Sequence, residues 1–144
     1  MTPLSPHFSL EEMVVTQVRG WDNTPSKDIV TNLKATAINL ENIRSLLSCP
    51  MIVTSGYRSK RVNELVGGAI NSAHMQGYAA DFIAPTYGTP LEICQIIAAN
   101  DILFDQLIEE GTWVHISFDP KMRRQVLTRA GGGYISGLSG GKNV

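Results

Sequence analysis

The feature that most restricts the fold of this chain is a stripe of apolar residues between positions 26 and 47. They recur at helical spacing, at Ile29, Leu33, Ala37, Leu40, Ile43 and Leu47. This spacing places them on one side of a single amphipathic helix that spans residues 26–47. Because such a stripe has to be buried against another element, we predict a sheet beneath the helix.

Short β-rich runs supply the strands of that sheet. Central strands are predicted at residues 51–54 and 80–83, because both runs are too short for a helix. Residues 105–110 and 113–118 flank Gly111-Thr112 and are predicted to form a tight hairpin. A further edge strand is expected at residues 124–128.

Two capping patterns mark helix starts. Ser9 with Glu12, and Thr89 with Glu92, have the spacing of capping boxes. Pro90 fits the first position of the second helix, which is predicted to run to about Asn100. Helices segregated against a small, largely antiparallel sheet indicate the α+β class.

The length of 144 residues fits one domain with a hydrophobic core of its own. We expect residues 1–130 to form this domain and the glycine-rich residues 131–144 to form a mobile tail. Cys49 and Cys94 match neither a zinc pair nor a redox motif and are predicted to be buried free thiols. Since no metal is needed for stability, a bound metal is expected to be functional.

The charge balance bears on possible partners. Twelve basic and thirteen acidic residues give a net charge of −1, which supplies little driving force for binding nucleic acid. No apolar run is long enough to cross a bilayer, and the first residues lack the pattern of a signal peptide. We therefore expect a monomer without nucleic-acid or membrane partners that is synthesised in the cytoplasm.

Two segments carry the residues of a possible metal site. His74 and Asp81 lie seven positions apart, too far for one helical face, and His115 follows in a different predicted strand. We expect a loop that returns at Gly77 to bring His74 over the strand of Asp81. Two imidazoles and one carboxylate are typical ligands of a catalytic zinc ion with one open position. A lone histidine in an apolar strand, such as His115 taken alone, is more often a hydrogen-bonded core residue than a ligand. The third histidine, His7, is expected to lie on the surface or to pack against other residues.

A hydrolytic zinc site also needs a base, and the candidates are Glu109 and Glu110. If Gly111 and Thr112 form a two-residue turn, Glu110 shares the sheet face of His115 and Glu109 points the other way. We therefore predict Glu110 as the base. The alternative is that both glutamates are solvated carboxylates at a turn.

Other polar residues have less specific interpretations. Arg58 follows the first central strand and is a candidate for binding an oxyanion or a substrate carboxylate, although loop arginines are usually solvated. Ser72 and Ser117 flank the histidines as candidates for substrate contact or ligand orientation, with capping and turn roles equally open. A cluster of basic residues is most simply a solvated face: Lys121, Arg123, Arg124 and Arg129.

Three motifs resemble those of the M15 zinc peptidases in order and spacing. They are Ser55-Gly-Tyr-Arg58, Ser72-Ala-His-Met-Gln-Gly-Tyr-Ala-Ala-Asp81 and Trp113-Val-His-Ile-Ser117. The family comprises D-alanyl-D-alanine carboxypeptidases, D-Ala-D-Ala dipeptidases and phage endolysins, with a fold shared with Hedgehog proteins. The opening residues 4–12 and Phe104-Asp-Gln-Leu-Ile108 look like its compact phage and prophage branch, so the resemblance covers about residues 4–118.

The resemblance implies roles for individual residues. It implies His74, Asp81 and His115 as zinc ligands, with Arg58 as the clamp for substrate or transition state and Ser72 as a substrate contact. Several members carry an acidic residue three positions before the last histidine, where this chain has Thr112. The compact branch instead has a glutamate at the position of Glu110.

The expected function is zinc-dependent hydrolysis of a bacterial peptidoglycan peptide by metal-activated water, with Glu110 accepting and returning the proton. The bond is expected to be D-Ala-D-Ala, as in a carboxypeptidase, or an L-Ala-D-Glu linkage, as in an endopeptidase. Action on the cell wall is expected in phage lysis, from a virion or in wall remodelling, among which the sequence does not choose. Because no export signal is found, reaching the wall would require a holin, a virion or leakage. Two alternatives are a non-catalytic zinc-containing virion or wall-binding module, and an ordinary α+β core without metal.

Overall fold

A computed structural model of the chain describes residues 1–138. Its α-helices are α1 Leu10–Met13, α2 Lys27–Leu47, α3 Lys60–Leu65 and α4 Pro90–Ala98, and a 3₁₀ helix spans Ala73–Gln76. The first four strands are β1 Pro3–Ser5, β2 Phe8–Ser9, β3 Ile52–Ser55 and β4 Ala79–Ile83. The remaining strands are β5 Gln106–Glu109, β6 Val114–Ser117, β7 Gln125–Ala130 and β8 Gly133–Ser136.

Six strands form the main sheet in the order β3-β4-β6-β5-β7-β8, and β1 and β2 form a separate pair. Every neighbouring pair in the main sheet is antiparallel except β5 and β7, which are parallel. The predicted α+β class with a largely antiparallel sheet is therefore confirmed.

Helices cover one face of the sheet. The apolar stripe of α2 packs into the same core as Ile93 and Ile97 of α4 and as Phe82 and Ile116 of the sheet. Side chains of this size contribute about 1.5–3 kcal/mol each when fully buried. Because side chains alternate along a strand, the residues between these core positions point to the opposite face, where the polar side chains lie.

The two capping patterns correctly predicted the starts of α1 and α4. Ser9 and Thr89 form capping boxes with Glu12 and Glu92, and Pro90 opens α4. Ser26 caps α2, which ends at Leu47 as predicted. Helix α4 ends at Ala98, two residues before the predicted end.

Two helical segments lie where the sequence suggested only loops. Helix α3 has six residues, of which Val62 and Asn63 are buried. It is too short to show an apolar stripe from which a helix could be predicted. The 3₁₀ helix Ala73–Gln76 is shorter still. Both are positioned by contacts with the rest of the fold rather than by periodicity.

The C-terminal strands differ from the prediction. Strand β7 is not an edge strand, because it pairs with β5 on one side and with β8 on the other. Gly131, in the left-handed region at φ +58°, supports the reversal between β7 and β8. The predicted domain limit at residue 130 thus falls inside a hairpin, and the predicted separate tail does not hold for Gly133–Ser136. The part of that prediction covering residues 139–144 lies outside the described residues.

Two further predictions concern cysteines and membranes. Cys49 and Cys94 are buried free thiols, as predicted. Within residues 1–138, no helix combines the length and the apolar character required to span a membrane.

Candidate metal centre

The structure brings together His74, Asp81 and His115 from three elements. His74 lies on the 3₁₀ helix, Asp81 on β4 and His115 on β6. Asp81 and His115 are direct cross-strand partners, so the sheet register alone makes them neighbours. Gly77 ends the 3₁₀ helix at φ +76° and directs the chain into β4. That turn places His74 over Asp81, as the sequence predicted.

The donor atoms of the three side chains converge. His74 Nε2 lies 3.1 Å from Asp81 Oδ1, and His115 Nδ1 lies 3.0 Å from the same oxygen. All three residues are buried, and their ligand atoms lie within 4.8 Å of one another. A tetrahedral zinc ion with bonds of about 2.0–2.1 Å separates its ligand atoms by about 3.3 Å. The spacing of the donors therefore fits such an ion.

The protonation states also suit a metal. His74 Nδ1 lies 2.6 Å from the carbonyl oxygen of Gly56, and since a carbonyl only accepts, Nδ1 carries the proton and the Nε2 lone pair is free. Burial lowers the pKa of His74, which keeps the ring neutral. Burial alone would raise the pKa of Asp81, but its contacts with the neighbouring His74 and His115 side chains hold it below its ordinary value.

Arg58 is attached to the metal centre through Asp81. Its Nη2 donates to Asp81 Oδ2 at 3.1 Å, Nε donates to Ser55 Oγ at 3.0 Å and Nη1 donates to Asn63 Oδ1 at 3.3 Å. The backbone N–H of Arg58 also donates to the carbonyl of His74. Arg58 therefore leaves Asp81 Oδ1 to the two histidines and orients both the carboxylate and the 3₁₀ helix.

Sequence reasoning missed the support around Arg58. Asn63 is buried, and its Nδ2 donates to the carbonyl of Ala69 at 2.9 Å. A Cβ at Gly68 would overlap the Asn63 amide and would crowd Arg58. No local pattern in the sequence signals this packing, because it depends on a loop returning over α3.

The two glutamates before the hairpin turn point to opposite faces, as predicted. Glu110 donates its backbone N–H to the Trp113 carbonyl, so Gly111 and Thr112 form the turn. Glu109 accepts the Gly111 N–H at 2.6 Å on the helix-covered face. Burial and, second, the negative charge of Glu109 raise the pKa of Cys94 on α4 to about 12.

Glu110 lies on the face of the metal centre. Its side chain is 9% exposed, and its Oε1 is buried with no hydrogen-bond partner among the described residues. Burial raises the pKa of Glu110; the charge of Asp81 adds to this, while those of His115 and Arg129 oppose it. Thr112, by contrast, is exposed at the turn. A carboxylate in this position can accept and return a proton.

A single cleft of about 700 Å³ contains all the predicted site residues. They are Arg58, Ser72, His74, Asp81, Glu110 and His115. Ser72 caps the 3₁₀ helix, its Oγ accepting the His74 N–H at 3.2 Å. Ser117 is buried and accepts the Gln106 N–H, linking β6 to β5.

The four residues of the predicted solvated basic face are exposed, but at least two of them also bind specific partners. Arg123 binds both carboxylate oxygens of the buried Asp105 at 2.8 Å. Arg124 donates to the carbonyls of Ala98 and Asn100 beyond α4 and lies over the Phe104 ring. These guanidiniums find partners that are distant in sequence, which the clustering of charges could not reveal.

His7 lies outside the metal centre. Its Nδ1 is 2.7 Å from Glu41 Oε1, and its side chain is 47% exposed. This agrees with the surface role predicted for it.

Comparison with known proteins agrees with the geometry of the cleft. A protein-family model described as Peptidase M15 matches residues 6–117. The matched segment contains the three converging residues of the metal centre, together with Arg58 and Glu110. The comparison with curated proteins gave no match. Because the family match covers well over half of the 144 residues, the chain belongs to the M15 family of peptidases.

Proposed function

We propose that this protein is a zinc-dependent peptidase that hydrolyses a peptide bond in bacterial peptidoglycan. The observation that carries the proposal is the convergence of His74 Nε2, Asp81 Oδ1 and His115 Nδ1 in the cleft that also contains Glu110. This arrangement provides the ligands and the base that metal-assisted hydrolysis requires.

His74, Asp81 and His115 would hold the metal. Two nitrogen donors and one carboxylate suit zinc and leave one position open. When bound, zinc supplies the Lewis acidity that makes water a nucleophile near neutral pH. The hydrogen bonds from His74 to Gly56 and from Arg58 to Asp81 fix the two ligands in the orientation needed for binding.

Glu110 takes the role of proton carrier. Its carboxylate accepts a proton from the attacking water and returns it to the leaving nitrogen. Oε1 has no hydrogen-bond partner within residues 1–138, so it is available for this transfer. Its partial burial raises the pKa of Glu110 towards the working pH, which strengthens it as a base.

Arg58 takes a double role in the proposed reaction. A guanidinium has five N–H groups, and three of those of Arg58 bind Asp81, Ser55 and Asn63. The remaining N–H groups are available for a substrate oxygen in the cleft, where they would stabilise developing negative charge. Ser72 lines the same cleft and is proposed to contact substrate.

The substrate class comes from the resemblance of the motifs to wall-peptide hydrolases. The bond is proposed to be D-Ala-D-Ala or L-Ala-D-Glu, and the protein would act on the cell wall during phage lysis or from a virion. No nucleic-acid partner is proposed, because nucleic-acid recognition draws on a strong positive field and the chain carries a net charge of −1.

Digestion of purified peptidoglycan tests the proposed function. The protein loaded with zinc, and the same protein treated with chelator, are incubated with peptidoglycan, and the muropeptides are analysed by mass spectrometry. We expect products shortened by one D-Ala, or cut between L-Ala and D-Glu, with zinc only. Binding to peptidoglycan without new products would instead support the non-catalytic wall-binding module.

A further inference from the structure

The β7–β8 hairpin extends the face of the sheet that holds the metal centre. It lies beyond the family match, which ends at residue 117. Leu127 of β7 pairs with Ile108 of β5, so Leu127 and Arg129 share the face of Ile108 and Glu110. Tyr134 of β8 pairs with Arg129. Arg129 and Tyr134 thereby form the wall of the cleft next to Glu110.

Arg129 differs from the other guanidiniums in the cleft. Arg58 donates three side-chain hydrogen bonds, and Arg123 is bound to both oxygens of Asp105. The acidic partner of Arg129 is Glu110, whose Oε1 lies 3.7 Å from Nη1 in a long, single-contact ion pair. Half exposed and without a bidentate partner, Arg129 is available to bind an anion.

The polar atoms around Arg129 define the ligand that fits. Trp113 Nε1, a donor, and Glu110 Oε1, an acceptor, are both buried and lack a hydrogen-bond partner among the described residues, although Oε1 lies 3.7 Å from Arg129 Nη1. Buried polar groups without partners cost free energy unless a ligand or water pairs with them. The donors of Arg129, which lines the cleft, favour an acceptor such as a carboxylate, and Glu110 favours an N–H group.

We propose that Arg129 binds the α-carboxylate of the residue released by hydrolysis. The proposal rests on the proposed function and names a feature of its substrate. In the released residue the carboxylate is attached to the same carbon as the leaving nitrogen. A nitrogen within about 3 Å of Glu110, as proton return requires, therefore places the carboxylate beside Glu110, where Arg129 lies.

The two candidate bonds share this carboxylate. Terminal D-Ala has a free α-carboxylate, and D-Glu of the wall peptide is linked onward through its γ-carboxyl group, which leaves its α-carboxylate free. Arg129 beside Glu110 could thus bind the released residue in cleavage of either bond. It would disfavour peptides in which the α-carboxylate of that residue is an amide. Tyr134 also lines the cleft, and its pKa is raised by burial and by the charge of Glu110.

Paired substrates test the role of Arg129. Peptides ending in D-Ala-D-Ala, and peptides containing L-Ala-D-Glu, are compared with versions in which the released residue carries an α-amide. We expect kcat/KM of the wild-type protein to favour the free acid by about 10- to 100-fold, as for a hydrogen-bonded charged group. Arg129→Gln should remove this preference by slowing the acid alone, mainly through KM, and Arg129→Lys should restore part of it.

Two variants serve as controls. Arg61→Gln removes an exposed arginine that pairs with Glu64 outside the cleft and should leave the preference unchanged. Lys121 also lines the cleft, so Lys121→Gln tests whether any nearby cation suffices. Loss of the preference in Lys121→Gln but not in Arg129→Gln would overturn the proposal.

A binding measurement separates failure of this proposal from failure of the proposed function. Zinc-loaded Glu110→Gln protein is titrated with the acid and amide peptides by calorimetry, with and without Arg129→Gln. Tighter binding of the acid that depends on Arg129 supports the subsite even if the wild-type protein cleaves neither peptide. Equal affinity for acid and amide, or cleavage of both at equal rates by the wild type, overturns it and leaves the peptidase proposal intact.

Discussion

The two faces of the central sheet are built from the same strands but differ in function: one packs against helices, and the other lines the cleft. On one face, Phe82 and Ile116 are fully buried against α2 and α4. On the other, Asp81 and His115, their neighbours in sequence, face the cleft. An apolar layer therefore lies directly behind the candidate metal centre, and Asp81 and His115 are held by strands whose positions the core determines.

Substituting one residue on each face should have the largest effects and should separate metal binding from stability. Asp81→Asn removes the charge between both histidines and Arg58 and should weaken zinc binding by more than about 100-fold. Phe82→Ala should leave the ligands in place but lower the free energy of unfolding by about 3–5 kcal/mol. Zinc titration and thermal unfolding of both variants measure the two effects. Retained zinc affinity in Asp81→Asn would remove Asp81 from the metal centre.

Glu110 and Glu109 provide the next test, because they are adjacent and point to opposite faces. Glu110→Gln should retain zinc and lose turnover by about 10²–10⁴-fold, the usual contribution of a general base. Glu109→Gln changes the acceptor of the Gly111 N–H and should affect stability more than turnover. The measurements are zinc content and kcat on a wall peptide. An unimpaired Glu110→Gln variant, or a dead Glu109→Gln variant, would reverse the assignment.

Substitution of Arg58 tests a residue that orients the proposed ligand Asp81 and is not itself a proposed ligand. A lysine cannot reproduce the three planar contacts of Arg58 with Asp81, Ser55 and Asn63. We expect Arg58→Lys to lower zinc affinity by about 10- to 100-fold, as for other groups that orient a ligand, measured by competition with a chelator. The matched control is Arg61→Lys, at an exposed position of α3, which should bind zinc normally. Equal zinc affinities of Arg58→Lys and the wild-type protein would show that Asp81 does not depend on Arg58 for its orientation.

The pH dependence of activity distinguishes the two faces further. Burial raises the pKa of Glu110 above its ordinary value of 4.5, and the base works only when deprotonated. At saturating zinc, kcat/KM should therefore fall on the acid side with a midpoint above 4.5. Since the charge of Arg129 lowers this pKa, Arg129→Gln should move the midpoint to higher pH. Glu109→Gln should leave the midpoint unchanged. An unchanged midpoint in Arg129→Gln would contradict the proximity of Arg129 to Glu110.

The parts of this structure that the sequence predicted depend on local patterns. The stripe of α2, both capping boxes and the hairpin that separates Glu109 from Glu110 all follow from spacing within a few turns or strand pairs. The convergence of His74, Asp81 and His115 could be predicted because chemistry restricts which residue types can share an ion.

The parts that were missed depend on contacts between distant segments. Asn63 supports Arg58 only because the loop at Gly68 folds over α3. Arg129 reaches the cleft only because β7 joins the sheet in parallel beside β5, and a parallel neighbour has no signature in the sequence of either strand. Long-range register of this kind lies outside what hydrophobic periodicity encodes.

The smallest expected effect belongs to the helix-covered face. Thr89 Oγ1 accepts the Glu92 N–H at 3.2 Å, and Glu92 Oε1 accepts the Thr89 N–H at 2.9 Å. Thr89→Ala should lower the free energy of unfolding by about 1 kcal/mol without changing zinc affinity or kcat. Thr86→Ala, at an exposed turn position, is the matched control and should change neither. If Thr89→Ala slowed turnover while stability stayed the same, α4 would be coupled to the metal centre through the sheet, and the separation of the two faces would fail.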